Sequence, residues 1–158
     1  MNESDLDLML DIAAVLYPDH PEDRAVLAAR LALYPTGCKV SERDGELVGY
    51  AISHPWVSGQ PPSLNAVLRA LPPTPNVYYL HDIAITPSAQ GKGAANAVVA
   101  ELLAHAAASR FRAAELVAVN DSRAFWRRHG FTVVAGTAFT KKLASYGTDA
   151  VYMRRALA

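Results

Sequence analysis

The chain has 158 residues, of which 51% are hydrophobic and 19% are charged, a composition that suits a globular domain with a substantial core. Lys and Arg together number 15, as do Asp and Glu, so the formal net charge is zero. This balance argues against binding to nucleic acid or to an anionic membrane through overall charge. We therefore expect one domain over residues 1–158 and neither of those partners.

No export signal is expected at the beginning of the chain. Glu3, Asp5 and Asp7 make it acidic, whereas a signal peptide begins with basic residues. No apolar run approaches the roughly 18 residues of a membrane-spanning helix. Cys38 is the one cysteine, so no internal disulfide can form, and we interpret it as a packing residue of a predicted strand. A reducing cytoplasm is the expected location.

Two helices and then two strands are predicted before residue 55. Apolar residues recur at helical spacing over 5–16, and a second helix is expected over 23–33. Strands are predicted over 38–42 and 47–54. The Asp-Gly pair between them is a strong hairpin signal.

The stretch 55–75 is the least regular part of the sequence. It carries six prolines, and one short helix is predicted in it over 63–71. Insertions of this length in compact domains are often functional, although a merely tolerated surface loop is the alternative.

Strands and helices alternate in the remainder of the chain. The predicted elements are a strand over 77–86, an alanine-rich helix over 93–109, a buried strand over 115–120, a helix that Gly130 ends, and an antiparallel pair over 131–136 and 150–157. This order predicts an α/β domain with a mixed sheet.

The loop after the 77–86 strand reads Gln90-Gly91-Lys92-Gly93-Ala94-Ala95. The backbone N–H groups at the start of a helix lack internal partners, and the helix dipole favours anions there. Gly91 and Gly93 carry no side chain to keep a phosphate away, and Lys92 adds positive charge. We therefore predict a pyrophosphate site.

Three phosphate-binding motifs compete for this loop. The Walker loop needs Ser or Thr after Gly-Lys, but Gly93 follows Lys92. The dinucleotide fingerprint needs a third glycine, but Asn96 stands there. The pattern that fits is Gln or Arg, two residues, Gly, one residue, then Gly or Ala, with Gln90, Gly93 and Ala95 in the defined positions.

On that pattern the sequence resembles the GNAT superfamily, which transfers acyl groups from acyl-CoA to amines. The preceding Ile83-Ala84-Ile85-Thr86-Pro87 is similar to the family's fourth strand, whose backbone groups bind the pantetheine arm. The resemblance implies acetyl-CoA as co-substrate, with its pyrophosphate on residues 90–95 and its pantetheine on Ile83, Ala84 and Ile85. An ordinary Gly-rich strand–helix turn is the alternative.

A second segment supports the resemblance. The family's next strand, helix and Gly-Phe ending are matched by Asn120, Ala124, Phe125, Trp126, Gly130 and Phe131. In the family, the fourth and fifth strands splay apart and the coenzyme's arm lies in the gap. The resemblance therefore implies a single-domain GNAT fold, a mixed and mostly antiparallel sheet flanked by helices, with Asn120 and Trp126 beside the coenzyme. It also allows a homodimer.

Two features depart from the family pattern. The chain begins almost at its first helix, so the family's first strand is expected to be missing or very short. Many members also place a tyrosine four residues before the glycine of Gly-Phe as general acid for the thiolate, and this chain has Trp126. An indole N–H can donate a hydrogen bond but cannot act as an acid near neutral pH.

His81 is the predicted general base, because an amine must lose a proton before or during attack and histidine titrates near neutral pH. It lies on the strand expected to hold the thioester, where the similar arylalkylamine N-acetyltransferases carry a histidine that assists deprotonation through water. A satisfied core histidine is the alternative. A backbone N–H near Ile83 is expected to polarise the thioester, as in the family.

Other polar residues receive weaker assignments. Tyr146 is the candidate replacement acid, and Tyr152 is a weaker one. Asp82 should point to the opposite face from His81 and is interpreted as structural.

The predicted acceptor pocket is lined by Tyr50, Trp56 and Tyr79. Residues 47–81 contain no Asp or Glu, so a small apolar or aromatic amine is expected rather than a polycation. Six of the seven acidic residues before residue 24 could weaken this argument, but we interpret them as a solvated helix face: Asp5, Asp7, Asp11, Asp19, Glu22 and Asp23.

Two other functions compete with a small-molecule N-acetyltransferase. Trp126 keeps open a non-catalytic acyl-CoA-binding or sensing domain. Acetylation of a protein N-terminus or lysine would need an open groove, which the proline-rich stretch should narrow. The five histidines are scattered, and no metal-ligand spacing is present, so no metal is expected.

Overall fold

The computed structural model describes residues 1–136 and 140–158, with only the backbone for residues 140 and 141. The helices are α1 (Leu6–Leu16), α2 (Arg24–Leu33), α3 (Ala94–Ala108), α4 (Arg123–Arg128) and α5 (Thr140–Leu143). The strands are β1 (Cys38–Arg43), β2 (Glu46–Trp56), β3 (Val77–Ile85), β4 (Ala113–Ala118), β5 (Thr132–Val133) and β6 (Val151–Ala156). Within the described ranges, none of the helices is both long and apolar enough to cross a membrane.

The six strands form one sheet in the order β1-β2-β3-β4-β6-β5. Every neighbouring pair is antiparallel except β3 and β4, which run parallel. The predicted β1–β2 hairpin is confirmed, and its turn has positive φ at Asp44 (54°) and Gly45 (81°), as a tight hairpin turn requires. The mixed, mostly antiparallel sheet agrees with the predicted fold class.

Helices cover both faces of the sheet. Neighbouring residues of a strand point to opposite faces, and on β2 Tyr50 and Ile52 join one core cluster while Ala51 joins the other. The first cluster packs under α1 and α2 and includes Leu6, Met9 and Leu27. The second packs under α3 and includes Val99, Leu102, Leu116 and Phe131.

The beginning of the chain agrees with the expected departure from the family pattern. Glu3–Asp5 form one 3-10 turn that leads directly into α1, and no strand precedes α1 among the described residues. Among the described residues, α1 is therefore the first helix or strand that packs in the sheet-based core.

Two sequence predictions were wrong in detail. The connection between β2 and β3, residues 57–76, contains no helix over 63–71. Asn65 has a left-handed φ of 55°, and its N–H donates to Glu22 in another element instead of to a helical carbonyl. The closing antiparallel pair exists, but β5 has two residues, extended by one bond from Val134 N–H to the Tyr152 carbonyl (2.9 Å).

The parallel pair β3–β4 is joined at one end only. Tyr78 pairs with Ala114 and Tyr79 with Glu115, and beyond these residues the two strands have no further register pairs. The strands therefore splay apart towards their C-terminal ends, as the resemblance implied, and the backbone of β3 past Tyr79 has no strand neighbour on its β4 side.

A β-bulge lies in β3 at His81. On β2, Ile52 pairs with Asp82 and the next residue, Ser53, pairs with Leu80, which leaves His81 without an opposite residue. A bulge interrupts the alternation of side chains along a strand. The prediction that Asp82 and His81 face opposite sides is therefore wrong, because both side chains line the same cavity.

Candidate active site

A cavity of ≈ 600 Å³ fills the gap between the splayed strands. Its walls come from the ends of β3 and β4, the beginning of α3, part of α4, the α1–α2 connection (residues 17–23) and Tyr146. The predicted site residues that line it are His81, Ile83, Ile85, Gln90, Gly91, Gly93, Ala94, Ala95, Asn120, Trp126 and Tyr146. One cavity thus brings together residues predicted for the coenzyme and for catalysis.

The beginning of α3 forms one end of the cavity. The first helical bond runs from Ala97 N–H to the Gly93 carbonyl (3.0 Å), so Ala94, Ala95 and Asn96 have N–H groups without a helical acceptor. Gly93 precedes the helix with a φ of 85°. A Cβ on it would meet no atom within 4 Å, so this side of the loop is open. These are the features of an anion site at a helix N-terminus.

The other residues predicted to bind the coenzyme here have different positions. Gln90 donates from Nε2 to the Ile85 carbonyl (3.0 Å), which ties the loop to the end of β3. Gly91 also has a positive φ, 73°. The exposed side chain of Lys92 and the buried Ala84 do not line the cavity.

The region that follows β4 forms a further wall of the cavity. Asn120 follows β4 with a left-handed φ of 51° and lines the cavity. Trp126 is 9% exposed and packs edge-on against Phe131, with ring centroids 5.4 Å apart. Arg128 also lines the cavity, its guanidinium 5.8 Å from the centre of the Phe125 ring. A cationic side chain therefore lines the same cavity as the beginning of α3.

A histidine–carboxylate pair occupies the acceptor end, the part of the cavity bounded by the α1–α2 connection. His81 Nε2 lies 2.9 Å from Glu22 Oε2, and the two side chains are 3% and 11% exposed. A carboxylate can only accept, so Nε2 carries the hydrogen and donates it, which leaves Nδ1 of the neutral ring as a bare lone pair. That Nδ1 is buried and has no partner among the described residues. The pair has the arrangement of a general base held by an acidic residue.

Glu22 is a site residue that sequence reasoning missed. Burial opposes its charged form, but the hydrogen bond from His81 and the charges of His81 and Arg30 outweigh burial and lower the pKa of Glu22. The interpretation of Glu22 as part of a solvated helix face was wrong, because the residue lies in the α1–α2 connection and turns inward. The sequence gives one signal for this, a carboxylate outside any predicted helix between Pro21 and the start of α2.

The 57–76 connection holds Glu22 in place. Asn65 N–H donates to Glu22 Oε1 (3.2 Å). The Asn65 side chain accepts from Asp23 N–H (2.8 Å) and donates to Asp23 Oδ2 (3.1 Å). Next to it, Arg30 Nη1 donates to the Ala66 carbonyl (3.1 Å). The irregular insertion therefore orients the partner of the candidate base.

Tyr146 lines the acceptor end, but its proton is already engaged. Its hydroxyl donates to the Pro62 carbonyl and accepts a hydrogen bond from Tyr79. Burial raises the pKa of Tyr146 to about 12. To act as the predicted acid, Tyr146 would first have to release the carbonyl.

The predicted acceptor-binding aromatics Tyr50, Trp56 and Tyr79 do not line the cavity. Tyr50 donates to Asp82 Oδ2 (2.5 Å), and Trp56 Nε1 donates to the Gln60 carbonyl (2.6 Å). Tyr50 and Tyr79 support the wall from behind, since each is hydrogen-bonded to a cavity-lining residue, Asp82 and Tyr146 respectively. The cavity-lining aromatic that sequence reasoning missed is Tyr17, whose hydroxyl donates to the Ile83 carbonyl (2.6 Å).

No group of three or more His, Cys, Asp or Glu residues is arranged to hold a metal ion in the part of the chain that the structure describes.

A buried histidine behind the site predicts acid sensitivity. His54 is 1% exposed, and burial, followed by the charges of His81 and Arg30, lowers its pKa to about 3. In the unfolded chain a histidine has a pKa of about 6.5, so between these values the unfolded state binds a proton that the folded state refuses. The contribution of His54 to stability must therefore fall as the pH falls below 6.5, by about 2 kcal/mol at pH 5.

The variant His54→Asn removes this titration and keeps an amide N–H for the Pro55 carbonyl. Urea unfolding from pH 7.5 to pH 5 should show a pH dependence smaller by that amount in the variant. Asp82, whose pKa burial raises to about 6, titrates in both proteins and cancels in the comparison. Equal pH dependence in the two proteins would show that His54 is protonated in the folded state.

Comparison with known proteins agrees with this geometry. The profile of the acetyltransferase (GNAT) family matches residues 6–131. No curated protein is similar enough in sequence to count as a match.

Solved structures show the same fold at low sequence identity. The GphF GNAT-like decarboxylase in complex with isobutyryl-CoA superposes with a TM-score of 0.81 at 18% identity, covering 100% of this chain and 97% of that one. Ard1 from Thermoplasma volcanium gives 0.75 at 14% identity, with 100% and 95% covered. Naa20 from Chaetomium thermophilum, in complex with a bisubstrate analogue, gives 0.72 at 17% identity, with 99% and 84% covered. Because the family profile spans most of the sequence and the fold agrees with it, the chain belongs to the GNAT family of acetyltransferases.

Proposed function

We propose that this protein transfers the acetyl group of acetyl-CoA to the amine of a small molecule. One observation carries the proposal: a single cavity joins the anion site at the beginning of α3 to the His81–Glu22 pair. The first end suits a pyrophosphate and the second suits a proton acceptor. The reacting carbonyl would lie between them.

The splay provides the place for the coenzyme's arm. β3 past Tyr79 has no strand partner on its β4 side, so this edge of the strand is open to an extended amide-containing chain. The carbonyls of Ile83 and Ile85 already accept from Tyr17 and Gln90, and each keeps a second lone pair. Adding a strand-like ligand to an unpaired edge satisfies the backbone in the same way as a further strand. Ile83 and Ile85 line the cavity at this edge.

In the proposed reaction, an amine nitrogen attacks the thioester carbon. The bound ammonium ion first gives one proton to His81 Nδ1, which makes the nitrogen a nucleophile. As the N–C bond forms and the C–S bond breaks, the nitrogen loses a second proton, which replaces the one that a cavity hydroxyl gives to the sulfur. A backbone N–H near Ile83 stabilises the oxyanion, an effect worth about 2.7–4 kcal/mol when one such donor is removed. The leaving thiolate takes a proton from a cavity hydroxyl, for which Tyr146 and Tyr17 are the candidates.

Closure of the acceptor end favours a small acceptor over a protein. The 57–76 connection is bonded to the α1–α2 connection through Asn65 and to the segment before β6 through the Tyr146–Pro62 bond. Lys142 Nζ also donates to the Pro61 carbonyl (3.4 Å). This chain shares the fold of Ard1 and Naa20. An extended peptide, however, could enter the acceptor end only if the 57–76 connection moved.

The charges of the acceptor end refine the expected amine. Glu22 and Asp82 both line the cavity, so the earlier argument from a region free of acidic residues does not hold for the folded site. Their carboxylates attract the cationic form of an amine. We therefore expect a small amine that binds as an ammonium ion.

The test combines acetyl-CoA binding with turnover. Calorimetry should detect binding of acetyl-CoA, and thiol release should follow when a panel of small amines is added. Binding without thiol release from any amine or peptide would support the acyl-CoA sensor suggested by Trp126. Absence of binding would contradict the proposal.

A further inference from the structure

Five buried polar side-chain atoms without a hydrogen-bond partner are found among the described residues, and they gather around the acceptor end. They are His20 Nδ1, Arg30 Nε, Arg30 Nη2, His54 Nε2 and His81 Nδ1. Buried polar atoms are almost always paired, so such a concentration calls for a ligand or water that completes them. Of the four side chains, His20 and His81 line the cavity, and Arg30 and His54 do not.

The hydrogen bond of His20 fixes its tautomer. His20 Nε2 lies 2.6 Å from the Tyr146 carbonyl oxygen, which can only accept, so Nε2 carries the hydrogen. In the neutral ring Nδ1 is then a bare lone pair. His81 reaches the same state through Glu22 (2.9 Å). Two histidines with unpaired Nδ1 atoms therefore line one cavity, together with the carboxylates of Glu22 and Asp82.

We propose that His20 is a second amine-binding residue, which accepts an N–H of the acceptor while His81 takes the proton. This inference rests on the proposed function and adds a specificity determinant to it. An ammonium group has enough N–H donors for both lone pairs, and the charge of Glu22 favours it. An alcohol has one O–H, which satisfies one histidine and leaves the other unpaired. The site thereby selects an amine over the alcohol of the same carbon skeleton.

Two substitutions separate this role from a purely structural one. A glutamine at position 20 places an amide N–H near the position of Nε2, so His20→Gln keeps a donor for Tyr146 and loses the lone pair of Nδ1. An asparagine places its amide oxygen near the position of Nδ1, so His20→Asn keeps an acceptor for the amine and loses the bond to Tyr146.

The experiment measures binding of 2-phenylethylamine and n-butylamine, and of 2-phenylethanol and 1-butanol, to the CoA-loaded protein. For at least one pair, wild type should bind the amine more tightly than its alcohol. In His20→Gln the amine-to-alcohol affinity ratio should fall about tenfold or more, since a hydrogen bond to a charged group is lost. His20→Asn should keep the ratio within about threefold.

Three results would overturn the inference. One is wild-type affinity for both amines no greater than for the alcohols. Another is an unchanged ratio in His20→Gln, and the third is a loss in His20→Asn larger than that in His20→Gln, which would indicate a structural role. Thiol release by wild type with acetyl-CoA and an amine panel is measured in parallel. Release together with any of these results would refute the role of His20 alone, whereas failure of acetyl-CoA binding and release would refute the proposed function.

Discussion

Gly93→Glu should abolish acetyl-CoA binding and leave the fold intact. Gly93 precedes α3 with a φ of 85°, and a Cβ there meets no atom within 4 Å, so the cost to folding is the backbone strain of about 1–2 kcal/mol. The new carboxylate would stand at the helix N-terminus where the pyrophosphate is expected. Like charges brought together in this way cost several kcal/mol. We expect at least about a hundredfold weaker binding by calorimetry.

The chain offers a matched control for this substitution. Gly45, in the β1–β2 turn, has nearly the same φ (81°) and equally open space around its Cα. Gly45→Glu should therefore carry a similar folding cost and bind acetyl-CoA as wild type does. Equal binding by Gly93→Glu and Gly45→Glu would show that the beginning of α3 does not hold the phosphates.

The features that sequence predicted well are local in the chain. The turn between β3 and α3 lies within the six residues from Gln90 to Ala95, and the hairpin depends on an adjacent Asp-Gly pair. Each requires only the geometry of one turn and the helix or strand next to it. The overall fold could be predicted because these local motifs occur in the same order as in a known family.

The acceptor end could not be predicted in the same way, because it is built from distant contacts. Glu22 and His81 are 59 residues apart, and their pairing depends on a third segment, in which Asn65 holds the Glu22 carboxylate. The side on which Asp82 lies depends on the bulge at His81, which is a property of the pairing between β2 and β3. No pattern within β3 alone reports that register.

Which aromatic side chains line the cavity could not be predicted from the sequence either. Tyr50 and Tyr79 were predicted to line the acceptor pocket because they are aromatic and lie in the stretch 47–81, which was expected to border it. In the structure they are 1% exposed, since the free energy of burying an aromatic ring favours the core over a cavity wall. Tyr17, which does line the cavity, comes from the end of α1, and nothing local distinguishes it.

His81→Gln should lower kcat/KM for the amine by about 10²–10⁴-fold, the range that a general base contributes. Glutamine can still hydrogen-bond to Glu22, but it cannot take a proton from an amine. Acetyl-CoA binding should be unchanged, because the anion site lies at the other end of the cavity. Stopped-flow or steady-state thiol release, with calorimetry of acetyl-CoA binding as control, separates the two effects. Activity close to that of wild type would assign the base to another group.

Glu22→Gln tests whether the carboxylate tunes this base. Glu22 is ionised over the working range, because the hydrogen bond and charge of His81 and the charge of Arg30 lower its pKa despite burial. A carboxylate on Nε2 orients the imidazole and stabilises the positive charge that develops on the ring when Nδ1 takes a proton. We therefore expect kcat/KM for the amine to fall in Glu22→Gln, with acetyl-CoA binding unchanged. Glu46→Gln, at an exposed carboxylate in the β1–β2 hairpin, should leave both quantities unchanged. A kcat/KM of Glu22→Gln equal to that of wild type would mean that the carboxylate does not assist the base.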